Sequence, residues 1–159
     1  MDNLTRSPAM AAFYRSITTH REIEVLSRGL VVLFAEPYNT KVAALLRSNG
    51  IVLGDGVSRS LTQEDLGEDV LVLTMDREEK KRLYEGFPDA PNVYTVIEFC
   101  GGSGDIIDPY GGDNEVYALL FESFKTWVPL IDPSIDSFGK YKDDTSESDN
   151  GIPKTGEQL

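Results

Sequence analysis

Between Asn3 and Ile131 the apolar residues follow two alternating rhythms, short β-branched runs and amphipathic stretches. That alternation is the pattern of repeated βα units packed on a parallel sheet, and it predicts an α/β fold. Met10, Phe13, Tyr14 and Ile17 fall at helical spacing, with Ser7 expected as the N-cap of that helix and Pro8 as its first residue. Ile23 to Leu26 reads as a strand, whereas Val31 to Phe34, after Gly29, fits either a strand or a packed loop. Asn39 is the expected cap of a helix carrying Val42, Leu45 and Leu46 on one stripe, and Gly50 sits where the chain must turn left-handed.

Further on, Thr62 to Asp65 reads as a short helix start, and Val70, Leu71, Val72 and Leu73 form a near-continuous apolar run within a strand expected over 69–75. Such a run predicts a central strand buried on both faces. Asp76 is the expected cap of a charged helix to Glu85, and Pro88 and Pro91 mark a loop before a strand from Val93 to Ile97. Gly101 to Gly112 is a glycine-rich loop, after which Val116, Leu119, Leu120, Phe124, Trp127 and Ile131 predict one long helix with an aromatic core face. From Asp132 onward Ser, Asp, Gly and Lys dominate, too polar to offset the entropy of ordering. The expected organisation is therefore a domain over 1–131 and a disordered acidic tail over 132–159.

Composition narrows the function classes. At 159 residues and 40% hydrophobic content the chain has the size of one domain that needs neither disulfide nor structural metal. Its single cysteine, Cys100, excludes an internal disulfide and a cysteine-rich zinc site and suits a reducing cytoplasm. The polar start is no signal peptide, and no apolar run reaches the roughly 18 residues that span a bilayer. A net charge of −12 argues against nucleic-acid or membrane partners. There is no internal repeat and no nucleotide-binding glycine fingerprint.

An anion would then need a concentrated local source of positive charge. The hexapeptide Asn3-Leu4-Thr5-Arg6-Ser7-Pro8 offers one: a turn feeding a helix N-terminus aims unpaired N–H groups at one spot, and the Arg6 guanidinium can clamp two phosphate oxygens. The same residues also suit an ordinary capped helix with a surface arginine. In the loop Gly104-Asp105-Ile106-Ile107-Asp108-Pro109-Tyr110-Gly111-Gly112, Asp108 could protonate a leaving group, although a turn alone accounts for Asp-Pro followed by two glycines. Cys100 reads as a buried structural thiol, Thr5 has no evident base to activate it, and His20 reads as solvated rather than metal-binding.

Asn-x-x-Arg-Ser-Pro opening the first helix and Asp-Pro-Tyr before the last one together resemble the low-molecular-weight protein tyrosine phosphatase family. Ser27-Arg28-Gly29 and Val70 to Asp76 look like the family's strand ends, in the right order. The resemblance implies a three-layer sandwich around a four-stranded parallel sheet of flavodoxin-like topology. It also implies hydrolysis of phosphotyrosine through a thiophosphate on a Cys-x5-Arg loop, without a cofactor. Arg6 would hold the equatorial oxygens and Asp108 would be the acid. Asn3, Leu4, Thr5 and Ser7 would line the phosphate loop, and Tyr110 would form an aromatic wall. A phosphotyrosine protein or a small aryl phosphate would be the substrate.

At that spacing the nucleophilic cysteine falls one residue ahead of Met1, and the apolar strand that would carry it is absent as well. The expectation is a chain whose first strand is missing through a shortened start and which is inactive as it stands. The alternative is a catalytically dead relative that binds phosphate or phosphotyrosine. Arsenate reduction would need further cysteines that the chain lacks.

Overall fold

The computed structural model describes residues 1–148, with side chains through Gly139. Six α-helices and one short parallel sheet make an α/β fold: α1 (Arg6–Ile17), α2 (Thr40–Ser48), β1 (Val72–Thr74), α3 (Arg77–Gly86), β2 (Val93–Thr95), α4 (Val96–Phe99), α5 (Asn114–Trp127) and α6 (Ile131–Ser148). β1 and β2 pair in parallel with Val72 opposite Val93, Leu73 opposite Tyr94 and Thr74 opposite Thr95. Because side chains alternate along a strand, this register sends Val72 and Val93 to one face, where they pack with Leu83, Ala90, Leu30 and Leu61. On the other, Leu73 joins the main core, in which Met10, Phe13, Leu46, Leu120, Phe121 and Phe124 from α1, α2 and α5 are buried.

Local signals dictate most element ends. Asn39 accepts from the Lys41 and Val42 N–H groups at 2.9 and 3.1 Å and so caps α2, while Gly50 takes φ +75° just beyond its end. Asp76 caps α3 by accepting from the Glu79 N–H at 2.7 Å. Asn39 also donates through Nδ2 to the Tyr117 hydroxyl at 3.2 Å, tying α2 to α5. Asn39→Ala is therefore expected to lower stability by about 1–2 kcal/mol in urea unfolding.

Several expectations from sequence need correction. The first helix begins at Arg6 with Thr5 as N-cap, and the Ser7 hydroxyl instead accepts from Asn3 Nδ2 at 3.0 Å. Pro8 is tolerated at the third position because that N–H has no helical acceptor in any case. The strand expected to run to Ile97 stops at Thr95, where Thr95 and Glu98 close a reciprocal capping box and start α4. Ile23 to Leu26 is irregular: the Val25 carbonyl accepts from the Arg15 side chain and Leu26 is half exposed. Val31 to Phe34, for which the sequence leaves strand and loop both open, is a loop held by Ser60 and Ser58 hydroxyls on the Val32 and Phe34 carbonyls at 3.4 and 3.3 Å, with Leu33 and Phe34 exposed.

The apolar run 70–73 is half-buried rather than enclosed, and among the described residues β1 has one strand neighbour, β2. The sheet described here thus has two strands. The single long helix is broken: α5 tightens into a 3-10 turn over Val128–Leu130, because Pro129 has no N–H to continue the ladder, and α6 follows.

Instead of disordered chain from Asp132, α6 runs to Ser148. Ile131 and Ile135 pack into the main core, and the Phe138 ring meets Tyr94 and Phe99 at 5.9 Å, an i, i+4, i+7 stripe hidden in an otherwise polar composition. Residues 149–159 lie outside the described part.

Candidate active site

The opening segment turns sharply before α1. Asn3 takes φ +63°, a left-handed conformation that costs most residues energy but that Asn tolerates, and it is 2% exposed. Its Oδ1 accepts from the Arg59 N–H at 3.0 Å and its Nδ2 donates to Ser7, so one side chain braces both ends of the turn. Leu4 accepts through its carbonyl from the Asn39 N–H at 2.8 Å, which fixes the turn on the cap of α2. Thr5, at the N-cap, places no side-chain oxygen on the helix's first N–H groups, so its hydroxyl does not occupy the positive end of the dipole.

Arg6, at the first position of α1, points inward and is 6% exposed. Its Nη1 donates to Asp76 Oδ2 and to the Ile106 carbonyl, both at 2.8 Å, and its Nη2 donates to Glu79 Oε1 at 3.1 Å. Nε and one Nη2 hydrogen have no acceptor among the described residues. The Asp108 carboxylate lies 3.8 Å from Nη2, a charge contact rather than a hydrogen bond, and is largely exposed. Asp108 Oδ1 accepts from the Tyr110 N–H at 3.1 Å, and the Tyr110 ring projects into solvent.

Arg6 and Asp108, 102 residues apart in sequence, therefore converge, while Asn3 bonds Ser7 and Leu4 bonds Asn39 within the turn that leads into α1.

The loop carrying Asp108 is anchored at the carboxyl end of β1. The Ile106 N–H donates to the Met75 carbonyl at 3.0 Å, and Arg77 grips Asp105 through its backbone N–H at 3.0 Å and its guanidinium at 3.2 Å. Those guanidinium hydrogen bonds hold the Asp105 carboxyl below its ordinary range. Sites in open parallel sheets collect at this end of the strands, where loops and helix N-termini meet.

Two carboxylates on Arg6 escaped the sequence reading. Asp76 was legible only as a helix cap, and Glu79 as one charge among many on α3. Glu79 is nonetheless buried, bound by the Met1 ammonium at 2.6 Å, by Arg6 and by the Met75 N–H at 3.0 Å. A signal for it was the strand end followed by Asp76 and Glu79, two acids three residues apart on one helical face.

Cys100 follows α4, with Sγ 3.7 Å from the Trp127 carbonyl, and burial pushes its thiol pKa up, the opposite of activation. His20 is paired rather than solvated: Nδ1 and Nε2 lie 3.0 Å from Glu22 and Asp136. No cluster of potential metal ligands occurs among the described residues, and no helix there is long and apolar enough to cross a membrane.

The family profile described as low molecular weight phosphotyrosine protein phosphatase matches residues 1–136. This chain belongs to that family. Among curated phosphatases of the family, the low molecular weight protein-tyrosine-phosphatase PtpB of Staphylococcus aureus is 28% identical over 126 residues, 79% of this chain and 88% of its own. A protein-arginine-phosphatase of Geobacillus stearothermophilus is 30% identical over 131 residues, 81% and 87% of the two chains. The solved YwlE arginine phosphatase of the same organism superposes with a TM-score of 0.78 at 25% identity, covering 96% of this chain and 94% of that one. The low molecular weight phosphatase of T. tengcongensis gives 0.75 at 29%, covering 82% and 92%. The structural likeness thus extends over most of the chain.

Proposed function

We propose that the Arg6 turn is a phosphate cradle and that this chain carries the scaffold of a protein tyrosine phosphatase. The observation that carries the reading is the convergence of Arg6 and the Asp108 carboxylate at 3.8 Å over a helix N-terminus. An arginine with free donors beside a helix dipole suits the equatorial oxygens of a transferring phosphoryl group, where transition-state charge spreads. In the complete reaction a cysteine thiolate attacks phosphorus, the phenolic oxygen departs with a proton from Asp108, and water releases phosphate as the Asp108 carboxylate takes its proton. Tyr110, exposed beside Asp108, would flank the aryl ring, and Leu4 and Thr5 would contribute loop N–H groups to the phosphate.

The thiolate of this reaction would come from the cysteine of the Cys-x5-Arg pattern that ends at Arg6. Cys100, half-buried with Sγ 3.7 Å from the Trp127 carbonyl and its thiol pKa pushed up, is not placed to act in its stead. A four-stranded sheet would need two strands beyond the β1 and β2 found among the described residues. The alternative is a catalytically dead relative that binds phosphate or phosphotyrosine without turnover. Turnover of p-nitrophenyl phosphate separates the two. A form in which a cysteine stands six residues before Arg6 is expected to hydrolyse it, and a dead relative is not. Absence of turnover with phosphate still bound would leave the binding role; where turnover occurs, phosphotyrosine and phosphoarginine peptides establish whether the enzyme prefers a phosphate ester or a phosphoramidate.

A further inference from the structure

Glu79 is a buried carboxylate with no part in the proposed reaction, yet it has one of the most completely satisfied environments in the molecule. One oxygen accepts from Arg6 Nη2 at 3.1 Å and from the Met1 ammonium at 2.6 Å, and the other accepts from the Met75 N–H at 3.0 Å. Met75 directly follows β1, so Glu79 is bonded to the sheet's carboxyl end while reaching back from the first turn of α3. Asp76 and the Ile106 carbonyl already hold Nη1. A guanidinium fixed at one nitrogen can still tilt as a plane about its Cδ–Nε bond; a second anchor at Nη2 stops that motion.

We infer that Glu79 is a positioning residue: by holding Nη2 from the protein side it sets the rotation of the Arg6 guanidinium, so that Nε–H and the remaining Nη2 hydrogen face the anion. The inference rests on the reading of Arg6 as the phosphate ligand. It makes a prediction of unusual sign. Removing a negative charge near an anion site should tighten phosphate binding if charge alone matters. Here the Glu79 charge is already paired with Arg6, so loss of orientation dominates and binding weakens.

The test uses nitrogen-15 spectra of the arginine side chains, with Arg6 assigned by its disappearance in Arg6→Lys, together with calorimetric titration of inorganic phosphate. The wild-type chain should show resolved, slowly exchanging Nη signals for Arg6. In Glu79→Ala those signals should merge and phosphate binding should weaken about tenfold, equivalent to about 1.4 kcal/mol. Glu79→Asp keeps the charge but withdraws the oxygens by one bond, and should behave in the same way. Glu79→Gln keeps an acceptor at the same reach, and should retain both the resolved signals and phosphate affinity within about threefold.

A folded Glu79→Ala or Glu79→Asp with unchanged Arg6 signals, or with tighter phosphate binding, overturns the inference. Merged signals in a series whose wild-type chain binds no phosphate would sink the phosphate reading while upholding the hold of Glu79 on Arg6.

Discussion

Arg6→Ala is expected to abolish measurable phosphate binding and to cost about 3–5 kcal/mol of folding stability at once. The two losses have different origins. On the proposed reading, phosphate loses the guanidinium that would clamp it through Nε and Nη2 beside the N-terminus of α1. Stability falls because Asp76 and Glu79, whose side chains are 18% and 9% exposed, would be left facing each other and Asp108 without the cation between them. The Ile106 carbonyl would also lose its donor, loosening the loop that presents Asp108.

Against a net stability of about 5–15 kcal/mol for a domain of this kind, such a change can unfold a large share of the protein. Arg6→Lys makes the distinction sharp. A lysine keeps the charge among the carboxylates and should recover part of the urea midpoint, but its ammonium lacks the planar fork and should not restore phosphate affinity. Phosphate titration of a folded Arg6→Ala chain that matched wild type would remove the anion site from this end of the molecule.

What could be read ahead of the structure divides along sequence distance. Helices with a local cap were legible, since Asn39 and Asp76 act on N–H groups two or three residues away. The same locality hid the end of β2, where β-branched Val96 and Ile97 suggest strand but the Thr95 and Glu98 capping box turns the chain into α4. Strands were less legible, because a strand exists only where a neighbour provides a ladder. Ile23 to Leu26 has the composition of one, yet its carbonyl at Val25 is taken by Arg15.

The site followed the same rule. Arg6 and Asp108 were visible as chemistry in two separate loops, whereas Asp76 and Glu79, at separations of 70 and 73 residues from Arg6, were visible only as ordinary helix charges. A buried guanidinium requires anionic partners, but nothing local says which of 27 acidic residues will meet it.

Asp132 shows that limit most plainly and carries the second large effect. Counted by composition it belongs to an acidic tail; in the fold it joins α6 to the end of α1. Its carboxylate accepts from the Tyr14 hydroxyl at 2.6 Å, the Thr18 hydroxyl at 2.8 Å and the Thr19 N–H at 2.9 Å. Tyr14 and Thr18 are both 6% exposed. Asp132→Ala strands two buried hydroxyls, each costing about 1–3 kcal/mol, so an overall loss of about 2–4 kcal/mol is expected in urea unfolding. Asp132→Asn, which keeps an acceptor oxygen, should lose about half as much.

The pH dependence gives the carboxylate a separate signature. Burial alone would raise the Asp132 pKa, but hydrogen bonds from Tyr14, Thr19 and Thr18 outweigh it and hold the carboxyl below its ordinary value. Its stabilisation is therefore present above the unfolded-state pKa and is lost as pH falls through the lower folded value. Tyr14 works in the opposite direction. Burial first, and then its bond to Asp132, push its hydroxyl from 10.0 up to about 12, so its contribution is complete below pH 10.0 and disappears as pH rises toward about 12. Urea midpoints measured from pH 3 to pH 12 should thus fall at both ends in the wild-type chain. In Asp132→Ala the acid-side loss should shrink, and the alkaline loss should begin closer to the ordinary tyrosine value; two unchanged flanks would mean that α6 is held by its apolar stripe alone.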